Sequence, residues 1–372
     1  MNLLEFQAKG LFARHGIAVP KGATWPDLPD SVESYVVKAQ VPAGGRGKSG
    51  GIHFAETAAE ARTAAEALEG STIGDHTVDS VYVEQRLDIA HELYLAVVID
   101  RDRRCRTIVA SPDGGVDVES VPQERILKVP VDPLLGIRSF VIDRVVRFLA
   151  PPPEAKKALA ATVRALHDMA ISEDAELAEI NPLAVTAAGT AVAADAKVVL
   201  DGRARHRHPE WGDLSAPAEG TEFERAVAAA GGVAAEMDPD GDVVAVVSGA
   251  GLMMASLDAL VDMGARMRCV VDMAGTPFGE APGLVGVFQA VATLKPRVTF
   301  INAYFHTALA DNVARSMANA YAKAPLGGRI VLRLVGRNAE EGRALLTPLG
   351  FEAHGDLEAA LKAVIAAQRE TG

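Results

Sequence analysis

The chain has 372 residues, a formal net charge of -12, 49% hydrophobic and 23% charged residues, and two cysteines. Its length implies two or three globular domains, and its excess of acid argues against nucleic acid as a general partner, because phosphate backbones attract basic faces. Cys105 and Cys269 are too far apart in sequence for a disulfide framework or a metal knot, which fits a reducing cytoplasm, while a signal peptide and a membrane span are not expected from the N-terminal or apolar patterns.

In chain order, Leu3, Leu4, Phe6, Leu11 and Phe12 recur at helical spacing before Gly16, which predicts a helix over 3–15. Strands follow at 34–41 and 51–55, then an alanine-rich helix over 58–68 and the strand "SVYVEQRL". "ELYLAVVIDRDRRCRTIVAS" is two apolar runs around a charged turn, an antiparallel hairpin. A helical stretch over 139–167 is interrupted at Pro151-Pro152-Pro153, and "AELAEINPLAVTAAGTAVAADAKVVLD" gives two strands around an Ala-Gly turn. From about 206 to 240 the chain is polar and rich in Pro and Gly, which reads as a linker; the Arg and His cluster at its start can contact phosphate but reads first as a solvated basic link. Beyond it, "VVAVVSGAG", "MRCVVDMAG", "RVTFINAYF" and "GRIVLRLVG" alternate with helical segments, the pattern of a parallel sheet wrapped by helices. The expected domains are therefore an α+β unit over 1–205, a linker over 206–240 and a doubly wound α/β unit over 241–372.

The segment "VPAGGRGKSGG" ends like a phosphate-binding P-loop in Gly47-Lys48-Ser49. Pro42 stands where the first loop glycine belongs, and a strand rather than a helix follows, so that reading fails. A glycine hairpin carrying Arg46 and Lys48 can still close over phosphates with backbone N–H groups; a plain surface hairpin fits the same residues.

Asn181 in "AEINP" and Asp195 in "AADAK" lie on consecutive strands joined by a tight turn. An amide oxygen and a carboxylate suit Mg²⁺, and Glu179, two residues before Asn181, points to the same face. Alternatively, Asn181 before Pro182 shapes a turn. Lys38 sits in an apolar strand, where it faces solvent at an edge or a phosphate in a cleft. Glu84 and Glu92 are acids on strands with the same two readings. "SGAGLMM" followed by Asp272 is a partial dinucleotide fingerprint, but Met254 fills its last glycine position.

Together, "MNLLEFQAKGLFARHGIAVPKG", "VVKAQVPAGGRGKSGG", "VEQRLDIAHELYLAVVIDR", "SPDGGVDVE" and "AEINPLAV…ADAKV" resemble the β subunit of succinyl-CoA ligase and its malate-CoA ligase relatives. The likeness resumes at "SGAGLMMASLDAL" and "RIVLRLVGRNAEEGRALL". It implies an ATP-grasp domain of two lobes followed by a flavodoxin-like domain. It also implies ATP held by Lys38, Gly45, Arg46, Gly47, Glu84 and Glu92, with Mg²⁺ on Asn181 and Asp195. The expected reaction is ADP-forming activation of a small carboxylic acid, with CoA and a separate α-like subunit as partners.

The C-terminal half departs from that family. There, an Asn-Ile-Phe-Gly-Gly turn opens a helix whose N–H groups bind a phosphohistidine of the α subunit. Here the same place reads "NAYFHTALADN": Asn302 is kept, but Phe305 and His306 replace the glycines. Ala274 and Thr276 replace glycines of a second run, and Ser248 replaces the substrate-binding Asn before "GAGL". Asn302, Ser248, Gly249 and Gly251 remain expected substrate contacts. His306 is a candidate internal phosphate acceptor, and a carboxylate–amine ligase without the phosphohistidine relay is the alternative function.

Overall fold

The structure is a computed structural model and describes residues 1–41, 50–74, 76–212, 214, 220–278 and 283–370. It divides into two compact units, Met1–Pro217 and Ala218–Gly372.

The first unit opens with helix α1 (Glu5–Arg14) and strands β1 (Gly22–Thr24), β2 (Tyr35–Ala39) and β3 (Ile52–Ala55). Helix α2 (Ala58–Leu68), the short pair β4 (Thr72–Ile73) and β5 (His76–Thr77), and strand β6 (Val81–Gln85) follow. These build an antiparallel sheet in the order β1-β6-β2-β3. Alternation sorts its residues. Tyr35, Val37, Ala39, Val81 and Val83 form a core with Ala61, Ala65 and Leu68 of α2. Val36, Lys38, Tyr82 and Glu84 are left to the opposite face.

Strands β7 (Ile89–Asp100), β8 (Cys105–Ser111) and β9 (Leu127–Val131) lead to helices α3 (Ser139–Leu149) and α4 (Lys156–Ser172). Strands β10 (Ala175–Thr186), β11 (Ala191–Ala193) and β12 (Lys197–Leu200) complete a second sheet, ordered β11-β10-β7-β8-β9, with β12 also paired to β10. Its core draws on Leu11 and Phe12 of α1, Val145 of α3 and Leu159 and Leu166 of α4. Helix α1 therefore serves as a wall of this lobe.

The 206–240 stretch differs from the expected linker. Turns of 3-10 helix occupy Gly202–Arg207 and Pro209–Trp211, and Trp211 is 1% exposed. Helix α5 (Glu222–Ala229) and strand β13 (Val233–Glu236) belong to the second unit. The physical reason is local. Thr221 and Glu224 form a capping box at the start of α5, and Phe223 and Val227 bury its apolar side.

The basic cluster before Trp211 is not simply solvated either. His208 is 8% exposed, stacks on Trp211 with ring centroids 4.2 Å apart, and faces two carboxylates, Asp174 through Nε2 at 2.7 Å and Glu210 through Nδ1 at 2.8 Å. Trp211 Nε1 donates to Glu173 Oε2 at 2.7 Å, and His15 meets Glu173 Oε1 at 2.7 Å; Arg207 and Arg14 add positive charge beside Asp174 and Glu173. A neutral imidazole has one N–H, so two carboxylate neighbours require the imidazolium. The hydrogen bond to Asp174 raises the His208 pKa against its partial burial, and the bonds from His208 lower those of Asp174 and Glu210. Ligand atoms of Glu173, His208 and Glu210 lie within 4.8 Å of one another, yet a doubly bonded imidazolium has no lone pair for a metal.

The sign of the pH effect follows. The raised His208 contributes stability that is full below the unfolded histidine pKa of about 6.5 and is lost as pH rises through the folded value. Asp174 and Glu210 contribute above the unfolded carboxylate range, and that part is lost as pH falls through their lowered values. The urea midpoint is expected to decline as pH is raised from 6 toward 9, and His208→Gln to flatten that decline. A parental slope in His208→Gln would refute the clamp.

The second unit continues with β14 (Val243–Val247), α6 (Ala250–Asp262), β15 (Met267–Asp272), α7 (Gly283–Thr293), β16 (Val298–Leu309) and α8 (Ala310–Lys323). It ends in β17 (Arg329–Arg337), α9 (Ala339–Leu346), β18 (Phe351–His354) and α10 (Leu357–Glu370). The sheet order is β13-β15-β14-β16-β17-β18. Its neighbours from β15 to β18 pair in parallel, and β13 adds an antiparallel edge. Apart from that edge the order is flavodoxin-like, as expected, and the change of winding direction falls between β14 and β16. Val243, Ala245 and Phe300 pack with Leu260 of α6 and Val364 of α10 on one face. Val244, Val246 and Ile301 pack with Phe288 of α7 and Met317 of α8 on the other.

Candidate functional site

Two positions of α1 point polar groups where an amphipathic helix buries apolar ones. Glu5 and Lys9, one helical turn apart, are 3% and 1% exposed. They meet the polar face of the first sheet, where the β2–β6 register brings Lys38 and Glu84 onto one side. Lys38 Nζ lies 2.7 Å from Glu5 Oε1, 2.6 Å from Glu84 Oε1 and 2.8 Å from the Ala194 carbonyl. Lys9 Nζ contacts Glu5 Oε1 at 2.8 Å, Glu84 Oε2, and the same Ala194 carbonyl at 2.8 Å. Two ammonium groups and two carboxylates thus alternate around one carbonyl oxygen. Each ammonium has three N–H groups, and in both lysines all three face protein oxygens.

Burial works against the Lys38 charge, but Glu5, Glu84 and Asp195 outweigh it and hold its pKa above the ordinary lysine value. Burial, reinforced by Glu84 and Glu5, pushes the neighbouring Tyr82 up to about 12. Lys38 therefore stays charged and the Tyr82 phenol neutral across the physiological range.

The carbonyl on which both lysines converge belongs to the residue before Asp195. Leu183 pairs with Ala193 and Glu179 with Lys197, so the break between β11 and β12 that carries Asp195 lies across from the Asn181–Pro182 stretch of β10. The peptide between Asn181 and Pro182 is cis, and the Ala194 N–H donates to the Pro182 carbonyl at 3.1 Å.

The Asn181 amide is oriented by the loop after β8. Its Oδ1 accepts from the Gly115 N–H at 2.8 Å, and its Nδ2 donates to the Val116 carbonyl at 3.0 Å. These partners fix which end is oxygen, and that oxygen keeps a second lone pair. Glu179 stands on the same face, 3.3 Å from the Tyr94 hydroxyl. Burial raises its pKa, opposed by Lys197 and the Tyr94 bond. Amide and carboxylate oxygens of this kind fit a small octahedral cation such as Mg²⁺.

Glu92 is exposed on β7, and Gly114 and Gly115 cross over it. A Cβ on Gly115 would lie 2.3 Å from the Glu92 carboxylate, and one on Gly114 would lie 2.4 Å from the Leu93 carbonyl oxygen. The crossing loop thus joins Glu92 to Asn181. The structure brings Lys38, Glu84, Asn181 and Asp195 into one neighbourhood, with Glu92 reached through this loop. Gly45, Arg46 and Gly47 lie outside the described residues.

In the second unit the expected substrate contacts are mostly engaged internally. Asn302 is 0% exposed. Its Nδ2 donates to Ser256 Oγ at 2.8 Å, and its Oδ1 accepts from Arg333 at 3.0 Å. Ser248 Oγ takes the Tyr304 N–H at 3.0 Å and donates to the Tyr304 carbonyl at 3.3 Å, prolonging the β14–β16 pairing by one side chain. Both side chains hold neighbouring strands together. Gly249, with φ 94°, caps α6 and donates its N–H to Asp272 Oδ1 at 2.8 Å. Gly251 is exposed in the first turn of α6.

His306 was expected just before a helix, but β16 runs through it and α8 begins at Ala310. The reason is packing. Phe305 is 7% exposed and meets Phe278 edge-on at 5.4 Å, and its backbone lies against Gly336, where a Cβ would come within 2.3 Å of the Phe305 oxygen. His306 is exposed on the strand.

Sequence reasoning overlooked Glu5 and Lys9. Their signal was an acid and a lysine at i,i+4 on the buried side of a helix. It also overlooked the orienting role of Gly114-Gly115, which only the close crossing of backbones reveals.

Two α+β sheets in the first unit, a buried lysine–carboxylate cluster and hard oxygen donors on β10 and the strand after it fit an ATP-grasp ligase, and the ATP-grasp domain family matches residues 2–185. The chain belongs, more particularly, to the succinate–CoA ligase [ADP-forming] β-subunit family, whose reaction is ADP-forming acid–CoA ligation. It is 36% identical to that subunit of Pyrobaculum arsenaticum, over 98% of this chain and 99% of the relative. It is likewise 36% identical to subunit beta 2 of Streptomyces coelicolor, over 93% of this chain and 91% of the relative. The ATP citrate lyase of Methanothrix soehngenii shares the fold, with a TM-score of 0.78 across 99% of both chains at 20% identity. Among the described residues no helix is long and apolar enough to cross a membrane.

Proposed function

We propose that this chain is the nucleotide-handling subunit of an ADP-forming acid–CoA ligase that activates a small carboxylic acid and works with a separate α-like subunit. The observation that carries the reading is that the Lys38–Glu84 cluster holds the carbonyl of Ala194, next to Asp195, in a segment that lies across from the Asn181 stretch of β10. In this reading Lys38, Arg46 and the Gly45 and Gly47 backbone hold the ATP phosphates, and Glu84 and Glu92 line the nucleotide site. Asn181 and Asp195 hold Mg²⁺, with Glu179 close by. The ion supplies charge neutralisation on the phosphates during phosphoryl transfer. Lys38 reaches a phosphate only by giving up at least one of its three protein oxygens. The cost of that exchange falls on Glu5 and Glu84, which are buried and need a counter-charge.

A second reading, a stand-alone carboxylate–amine ligase, is favoured by one observation: the buried Asn302 and Phe305 and the half-buried Ser248 are all engaged by other residues of the second unit. The two readings separate in one assay. With Mg²⁺-ATP, CoA, an α-like subunit and a panel of carboxylic acids, ADP formation is expected to require all components. With hydroxylamine in place of CoA and partner, no acid hydroxamate is expected. Hydroxamate formed by the chain alone would overturn the CoA-ligase reading in favour of the second.

A further inference from the structure

Lys9 has no place in the nucleotide site described above, yet it duplicates every contact of Lys38. Both lysines touch Glu5, Glu84 and the Ala194 carbonyl. The two differ in what holds them. Lys38 projects from β2, the strand that precedes the glycine-rich sequence "AGGRGKSGG". Lys9 projects from the middle of α1, between Ala8, at 0% exposure, and the helix-anchoring Leu11 and Phe12, at 1% and 0%. Its ammonium also lies 5.7 Å from the centroid of the Tyr82 ring, an attraction that favours keeping the cation in place.

We propose that Lys9 is a positioning residue for nucleotide binding, the standing counter-ion that holds Glu84, Glu5 and the Ala194–Asp195 turn while Lys38 exchanges protein oxygens for phosphate. The proposal rests on the reading of Lys38 as a phosphate ligand. With both lysines at home, two positive charges balance two negative ones. When Lys38 swings toward phosphate, Glu5 and Glu84 keep one ammonium, shared between them as its existing contacts already share it. Without Lys9 the same swing leaves two buried carboxylates facing each other with no cation, so Lys38 stays bound to them and the nucleotide loses its ligand. Lys9 also keeps the Ala194 carbonyl pinned, and with it the backbone that presents Asp195.

The test uses the full chain and compares Mg²⁺-ATP binding by calorimetry for the parent, Lys9→Met, Lys9→Arg and Lys38→Met, each checked for native circular dichroism at the assay temperature. Lys9→Met is expected to weaken Mg²⁺-ATP by about tenfold or more, and Lys9→Arg, which keeps the charge, to recover most of that loss. A purely structural lysine would lower the unfolding midpoint and leave the affinity of the folded fraction unchanged. Native Lys9→Met with parental affinity overturns the proposal if Lys38→Met has lost binding. If Lys38→Met also binds normally, the phosphate role of Lys38 is what fails. Should Lys9→Met not fold, lysine side-chain NMR of the parent, assigned with Lys9→Arg, decides. Mg²⁺-ATP is then expected to shift the Lys38 Nζ resonance strongly and the Lys9 resonance slightly, and equal shifts overturn the proposal.

Discussion

Asp195→Ala and Asn181→Ala are each expected to remove Mg²⁺-dependent ADP formation, by at least about 100-fold, in a chain that stays folded. Asn181 on β10 lies across from the β11–β12 break that carries Asp195, so in the proposed site each loss strips one hard oxygen from the cation. They differ in collateral damage. Asp195 Oδ1 accepts the N–H of its own neighbour Ala196 at 2.8 Å, which solvent can replace. Asn181 holds Gly115 and Val116, so Asn181→Ala also releases the crossing loop. Asn181→Asp separates the two effects. It keeps oxygens for a cation but turns an acceptor toward the Val116 carbonyl and adds charge beside Glu179 and Asp195. Higher Mg²⁺ is expected to restore part of the activity of Asn181→Asp and none of that of Asp195→Ala. Steady-state ADP release against Mg²⁺ concentration measures this, and parental activity in both alanine variants would remove the pair as metal ligands.

Gly114→Ala carries the second large effect. A Cβ there would stand 2.4 to 2.6 Å from backbone atoms of Leu93, and backbone in the middle of β7 has nowhere to go. The Gly114 N–H bond to the Glu92 carbonyl, now 3.0 Å, must lengthen, and the loop must rise off the strand. The expected cost is about 1 to 3 kcal/mol of stability, visible as a lower urea midpoint. Because Gly115 and Val116 orient the Asn181 amide, the variant is also expected to need more Mg²⁺ for half-maximal ADP formation. By contrast, Gly10→Ala, on α1 where a Cβ meets nothing within 4 Å, is the matched control, with stability near the parent. Equal behaviour of the two variants would deny the loop its orienting role.

Much of this was legible in the sequence because its causes are local. Alternation placed Val37 and Val83 in one core and left Lys38 and Glu84 on the other face. The tight turn after β10 brought Asn181 toward Asp195, and repeated strand–glycine–helix segments announced a parallel sheet. The second unit was harder at its edges. The capping pair Thr221 and Glu224 was readable in "TEFERAVAA", but the polar, Pro-rich residues before it hid the short helix and edge strand. His306 was misplaced for a different reason. Aromatic Tyr304 and Phe305 favour continued strand where glycine would have ended it, and the pocket beside Gly336 that accepts Phe305 is built by residues thirty positions away. The Lys9–Lys38 cluster was illegible for the same reason, since its four side chains come from three elements and converge on a carbonyl far along the chain.

That long reach bears on how the protein is made. Lys9 and the carbonyl it contacts are 185 positions apart, and the Leu3 N–H likewise bonds to Val198 at 3.0 Å. During synthesis α1 emerges well before its partner, and the oxygen that both ammonium groups share is translated on the order of ten to forty seconds later, at usual elongation rates. Until then the helix must wait with an acid and a base on what will become its inner side. Those charges keep the nascent segment hydrated rather than adhesive, and they become structural only when the last strands of the lobe arrive to enclose them.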